Sequence, residues 1–279
     1  MTDSANRQNS SPSGAEAHRS MVLLVGNGVL QACVGREEGA PEMVVDRHWS
    51  AEPADSLARL EDVVYEHPLL FDDVKSVVLL HPSMTTLAPS ALIQDSEIES
   101  VDAVMDKYDL SEDKECFAET IGDADDNQLL YSMPRGMYGF LERCFPTEHI
   151  HHSLNPFLNC FLPSASAARG DAMWVDLHGD SADVAAFRDG RLLLANTWNY
   201  RSETDIVYYL VMVWRTLGMD ADSGHLYLSG PAKARSNVTA MLRKYINYVA
   251  MPSVARELKD SVAAGIPLSM AVALRGMRE

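Results

Sequence analysis

Two tight turns constrain this chain more than any other feature. Asn27-Gly28 lies between the apolar runs Val22–Val25 and Val29–Val34, and Asp189-Gly190 lies between Ala182–Phe187 and Leu192–Thr197. Asn-Gly and Asp-Gly suit two-residue hairpins, in which both central residues take positive φ. Each turn therefore predicts an antiparallel ribbon. A third strand completes a meander in each half: Met43–Trp49 after the Gly39-Ala40-Pro41 break, and Ala172–Leu177 ahead of the second ribbon.

The two halves also match beyond their meanders. Pro53 opens a predicted helix to about Tyr65, with Leu57, Leu60, Val63 and Val64 on one stripe. The all-apolar run Val77–Leu80 reads as a strand buried on both faces. In the second half, Ser202–Leu217 reads as a helix, because Ser202 and Asp205 have capping-box spacing and Gly218 stands where a terminating glycine belongs. Its centre, Ile206–Trp214, is apolar all round. It should therefore be covered on most of its circumference, by its own sheet and by the other domain, the Ile266–Leu274 segment or a second copy. His225–Leu228, Lys233–Lys244 and Ile246–Ala250 follow as strand, helix and strand. Between the halves, Pro89–Ile93 reads as a helical turn, Cys116–Thr120 pairs with Gln128–Ser132 across Gly122–Asn127, and Met137–Phe145 is a short helix stopped by Pro146.

The fold class is thus α/β: two domains with mixed sheets, built as duplicated βββαβ-type units alike in element order rather than residue identity. The expected boundaries are a disordered leader over residues 1–20, domains over 21–163 and 164–250, and a tail segment over 251–279, with the small polar stretch Ser164–Gly170 as linker.

Charge narrows the partners. Between Ile93 and Asp126 there are 13 acids against Lys107 and Lys114, and the whole chain carries a formal charge of −17. Such a chain repels a phosphate backbone, so no nucleic-acid partner is expected. From Lys233 onward 8 bases outnumber 3 acids. The two regions read as solvated faces or as partner surfaces of opposite sign. The longest apolar run, Ile206–Trp214, is far short of the ~20 residues of a spanning helix, so no integral membrane segment is expected. Leu30-Gln31-Ala32-Cys33 loosely has the form of a lipoprotein cleavage box, but Gly26-Asn27-Gly28 interrupts the apolar region before it and the hairpin uses the same residues. The 4 widely spaced cysteines suit reduced thiols in a cytoplasm.

The second half has a familiar stretch. Gly190-Arg191-Leu192-Leu193-Leu194-Ala195-Asn196-Thr197-Trp198-Asn199-Tyr200, then Glu203-Thr204-Asp205 and Tyr208-Tyr209, resembles an uncharacterised bacterial family found mainly in Bacteroidetes. His225–Gly230 and Thr85–Ile93 resemble further segments of it. The resemblance covers roughly residues 22–250 and implies an actin-like ATPase, ribonuclease-H-like fold with no assigned activity. Actin-like ATPases hold phosphates on two hairpins, with an Asp placing magnesium and glycines admitting the phosphates. Carried over, the nucleotide-binding residues are Asp176, Gly179, Gly26, Gly28 and Gly230, should a nucleotide bind at all. The motifs are degenerate: Leu24–Val29 has no Asp, His178 replaces a glycine, Asp180 puts negative charge at the second hairpin, and Pro231 replaces the second glycine after the strand.

Other clusters are weaker. Cys144, His149, His151, His152 and Cys160 are close in sequence but lack zinc-site spacing, and read as a strand end with exposed histidines and core thiols. Asp176, Asp180 and Asp183 have the look of a nuclease carboxylate cluster, without carboxylates from further strands. Tyr208, Tyr209 and Trp214 read as core packing. No catalytic or metal-ligating residue is assigned. The leading expectation is a non-catalytic, cytoplasmic interaction module with no cofactor that binds a protein or a second copy. An ATP- and magnesium-dependent enzyme is the alternative, and a metal-dependent hydrolase stands third.

Overall fold

Strand β1 (Ser20–Gly26) is buried along its whole length, as its run of Met21, Val22, Leu23, Leu24 and Val25 requires. In this computed structural model residues 20–277 are described, except 27, 36–39, 51–54, 73, 83, 95–99, 122–126, 146–148 and 168. The leader, apart from Ser20, the Asn27 position and most of the Gly122–Asn127 turn lie outside the described residues. β1 pairs antiparallel with β2 (Val29–Gly35), which pairs with β3 (Glu42–His48). On its other side β1 runs parallel to β4 (Lys75–His81), reached through helix α1 (Ser56–Tyr65), and β4 runs parallel to β8 (Ile150–His152). The order is β3-β2-β1-β4-β8.

The second half repeats the plan. β9 (Asp171–His178), β10 (Ser181–Arg188) and β11 (Arg191–Asn199) form the meander, and β12 (His225–Ser229) and β13 (Tyr248–Ala250) extend it in parallel, giving β11-β10-β9-β12-β13. Helices α6 (Glu203–Thr216) and α7 (Ala232–Leu242) are its crossovers. The expected capping box is formed: Ser202 accepts from the Asp205 N–H, and Asp205 accepts from the Ser202 N–H. At the second hairpin, Asp189 and Gly190 have φ of 49° and 83°.

The acidic region sits on an insertion between β4 and β8. It holds a small antiparallel sheet, β5-β7-β6 (Met84–Pro89, Asn127–Pro134 and Lys114–Thr120), with helices α2 (Ser90–Gln94), α3 (Val101–Met105) and α4 (Met137–Cys144). The expected β6–β7 pairing is present; β5 enters beside it as a strand that periodicity did not single out.

Three expectations need correction. Residues 164–167, expected to open a linker, are the last turn of α5 (Leu154–Ala167), which continues through Pro163. Proline removes one helical donor and strains the helix. Phe161 stacked on Trp174 of the second sheet at 5.3 Å, with Phe157 edge-on against Phe161 in the same core, holds the helix together. Second, α6 is not covered all round. Ile206, Val207, Leu210 and Trp214 are buried against its sheet, while Tyr208 is 60%, Met212 44% and Tyr209 38% exposed. Phenolic hydroxyls and a thioether tolerate water well enough to form an outer face beside Arg215 and Thr216. Third, the tail does not cover α6. It forms α8 (Ser253–Glu257), α9 (Lys259–Ala263) and α10 (Leu268–Gly276), and Ile266, just ahead of α10, packs with Met270, Ala271 and Leu274 of the helix on Val22, Leu24 and Leu79 of the first sheet.

Candidate functional site

The β1–β2 turn, at Gly28, and the β9–β10 turn, at Gly179 and Asp180, line one cavity of about 500 Å³, a size within the range of small-molecule sites. The first sheet contributes Gly28, Trp49 and His81 to its wall; the second contributes His178, Asp180 and Thr197. The turn before α10 closes a further side with Gly265 and Pro267.

Of the five residues carried over for nucleotide, two line this cavity. Gly28, with φ +87°, and Gly179, with φ +60°, are on its wall. Gly28 is already engaged, since a Cβ there would stand 2.4 Å from the Trp49 carbonyl oxygen. Gly179 faces open space. Gly26 and Gly230 serve close approach of backbones. A Cβ on Gly26 would meet the His81 carbonyl at 2.4 Å, and one on Gly230, with φ +114°, the Leu177 carbonyl at 2.4 Å. Asp176 is buried and outside the lining. Its Oδ1 is 2.5 Å from Ser229 Oγ, and its Oδ2 accepts the Leu268 N–H at 2.8 Å. Burial pushes its carboxyl up to about 6.

The cavity floor is an imidazole–carboxylate group that sequence reading splits between a missing glycine and a nuclease motif. His178 Nε2 is 3.1 Å from Asp183 Oδ2, off the line a good hydrogen bond prefers, so the two form an ion contact. Burial opposes charge on His178, but Asp183, Asp176 and Asp180 outweigh it and raise the imidazole to about 8. Asp183 is held below its ordinary range: burial works against this, and His178 and the Thr197 hydroxyl, which donates at 2.6 Å, prevail. His81, from the end of β4, meets His178 edge-on with ring centroids 5.9 Å apart. Burial and the neighbouring His178 cation push it down to about 4, so it is neutral at pH 7.

Ser181 completes a Ser–His–Asp set in composition, yet its proton placement is wrong for a nucleophile. Its Oγ lies 2.9 Å from His178 Nδ1 and 3.1 Å from the His178 carbonyl oxygen. With the imidazole protonated, Nδ1–H donates to Oγ, and the hydroxyl hydrogen goes to the carbonyl. An activated serine requires the reverse, a neutral imidazole accepting from the hydroxyl.

The cysteine–histidine cluster does not assemble. His152, expected exposed, is buried, with Nε2 2.8 Å from Thr85 Oγ1 and Nδ1 accepting the Leu154 N–H at 2.9 Å. Burial pushes it down to about 3. His151 pairs with Glu119 at 3.0 Å. Among the described residues no group of three or more His, Cys, Asp or Glu side chains is arranged to hold a metal ion. The described helices include none long and apolar enough to cross a membrane.

The model of a family described as Protein of unknown function (DUF3822) matches residues 15–249, and the chain belongs to that family. A Bacteroides thetaiotaomicron protein with actin-like ATPase fold and unknown function is similar over 93% of this chain and 96% of its own, with 16% identity and a TM-score of 0.72. The PilM–PilN type IV pilus biogenesis complex contains a chain similar over 92% of this one and 98% of its own, with 13% identity and a TM-score of 0.51. No curated protein matches. The fold is that of the actin-like ATPases, two mixed-sheet units as the duplicated element order implied.

Proposed function

We propose that this family member is a non-catalytic, pseudo-ATPase form of the actin-like fold that works in the bacterial cytoplasm by binding a protein, either another chain or a second copy. The observation that carries this reading is the state of Asp176. The carboxylate best placed by sequence to hold magnesium is buried, with one oxygen at Ser229 and the other on the Leu268 N–H. Asp180, the carboxylate that does line the cavity, puts negative charge there, which opposes a phosphate. Protein binding has a candidate face in Tyr208, Tyr209 and Met212 on α6, since exposed aromatic and Met side chains are the residue types that interfaces favour. The similar fold in the PilM–PilN complex, an assembly of two proteins, is in keeping with this. The acidic surface argues against nucleic acid, and the four free cysteines suit a reducing compartment.

Isothermal titration calorimetry with ATP and magnesium tests the reading. The expected result is no binding tighter than roughly millimolar, about −4 kcal/mol. A micromolar affinity that depends on magnesium overturns it.

A further inference from the structure

Helix α10 begins without a cap of its own. Pro267 at its N-cap has no side-chain acceptor to offer the first-turn N–H groups. Helix starts leave such donors unpaired unless something accepts from them, and they favour negative charge. The acceptor here comes from the other half of the molecule: the Leu268 N–H donates to Asp176 Oδ2 at 2.8 Å. Asp176 lies on β9 of the second sheet, whereas the body of α10 packs on β1 of the first, through Met270, Ala271 and Leu274. The residues just ahead of the helix, Gly265 and Pro267, form part of the cavity wall. This hydrogen bond joins the start of the helix on the first sheet to the second sheet, at the edge of the cleft between them, and adds to the packing of Leu268 in the core that Trp174 and Phe187 share.

The surroundings of Asp176 are arranged for this task. Ser229 Oγ reaches both Asp176 Oδ1, at 2.5 Å, and the Val175 carbonyl, at 3.2 Å. A hydroxyl has one hydrogen for these two acceptors. Ser229 anchors the carboxylate to β12 and leaves Oδ2 aimed at the helix start. Other charged groups near it are His178 and Asp183, which neutralise each other.

We propose that Asp176 is a clasp: by capping α10 from the opposite sheet it holds the tail as a strap across the cleft, and release of the strap opens the cavity floor to solvent. The proposal stands apart from the protein-binding reading, because it concerns the tail and the cleft whatever the chain binds.

Hydrogen exchange and histidine modification on the full chain test it together. In Asp176→Ala, exchange of the Leu268–Met270 amides is expected to accelerate about tenfold, on the scale of a lost, charge-assisted cap. Carbethoxylation of His81, a neutral imidazole on the cavity wall, is expected to accelerate in parallel, while α6 amides keep their protection. Adding Pro267→Ser supplies a hydroxyl that accepts from the Ser269 or Met270 N–H and is expected to restore protection there while the Leu268 amide stays fast. If Asp176→Ala fails to fold, Asp176→Asn keeps an acceptor oxygen and loses the charge, and is expected to give a smaller acceleration, about threefold, confined to the same amides. Unchanged exchange and His81 labelling in a folded variant overturn the clasp. So does acceleration spread evenly over α6 and β12, or no recovery at Ser269 and Met270 with Pro267→Ser.

Discussion

Leu210 and Met212 sit two positions apart on α6 and face opposite ways. Leu210 is fully buried and Met212 is 44% exposed. Truncating a fully buried leucine to alanine costs about 2–5 kcal/mol, from lost transfer energy and the cavity left behind. Leu210 shares its core with Met173, Val175, Ala182 and Leu226, all at or near zero exposure on adjacent strands. Sheet backbones relax little into such a gap, which puts Leu210→Ala in the upper part of that range. Leu210→Asp adds the desolvation of a carboxylate, and the sum approaches the 5–15 kcal/mol that hold a typical domain together. That variant should be insoluble or molten. Met212→Asp loses little burial and some helix propensity, about 1 kcal/mol or less. Urea unfolding followed by far-ultraviolet circular dichroism reads the contrast. With a slope of about 3 kcal/mol/M, Leu210→Ala should lower the midpoint by about 1 M and Met212→Asp by less than about 0.3 M. Equal shifts for the two would refute the one-sided burial of α6. A wild-type midpoint for Leu210→Ala would refute the core assignment itself.

Stability should peak near pH 6.5. His81 and His152 are held at about 4 and about 3, so the unfolded chain binds more protons below pH 6.5 and their contribution is lost as pH falls from there. Asp176, raised to about 6, opposes part of that loss between about pH 4 and 6. His178, raised to about 8, contributes stability that is complete below about pH 6.5 and lost as pH rises through 8. Urea midpoints measured from pH 4 to 9 check this; a midpoint still rising at pH 8, or an alkaline limb that His178→Asn leaves unchanged, contradicts it. The glycines give a second comparison. Gly179→Ala meets open space at φ +60° and should cost about 1–2 kcal/mol, while Gly230→Ala, at φ +114° and 2.4 Å from a carbonyl, should cost at least about 2 kcal/mol more, read as melting temperature.

The parts of the fold that are legible in the sequence are those specified by neighbouring residues. Asp189-Gly190 set a turn, Ser202 and Asp205 set a helix start, and Val77–Leu80 declare a strand buried on both faces. The hidden parts depend on groups far apart in the chain. Ser164–Gly170 reads locally as a small, polar linker, yet its first residues are the last turn of α5, which runs on through Pro163. The tail's apolar residues carry no local sign of the sheet they cover; Met270, Ala271 and Leu274 of α10 lie on the first. The site is half legible for the same reason. The turn at Gly28 is written in its neighbours and the turn at Gly179 and Asp180 comes only with the family resemblance, while the meaning of Asp176 depends on Leu268, whose N–H reaches it across 92 residues. His178 reads as a missing glycine; its pairing with Asp183 is open to inspection, since both flank the same two-residue turn at cross-strand reach.

Glycines in phosphate-loop positions are therefore poor witnesses for phosphate. Gly26 stands opposite His81 in the parallel β1–β4 register, and Gly230 follows directly on the β12 end that pairs with Asp176. At both places two strand ends converge so closely that a carbonyl occupies the space of a Cβ. The close approach at Gly26 and Gly230 requires glycine whether or not the chain binds a nucleotide. A buried carboxylate is different, because it is costly unless something satisfies it. Asp176 meets that requirement within the fold: Ser229 donates to one oxygen and the Leu268 N–H to the other, so this carboxylate, unlike the glycines, is tied to contacts between elements far apart in the chain.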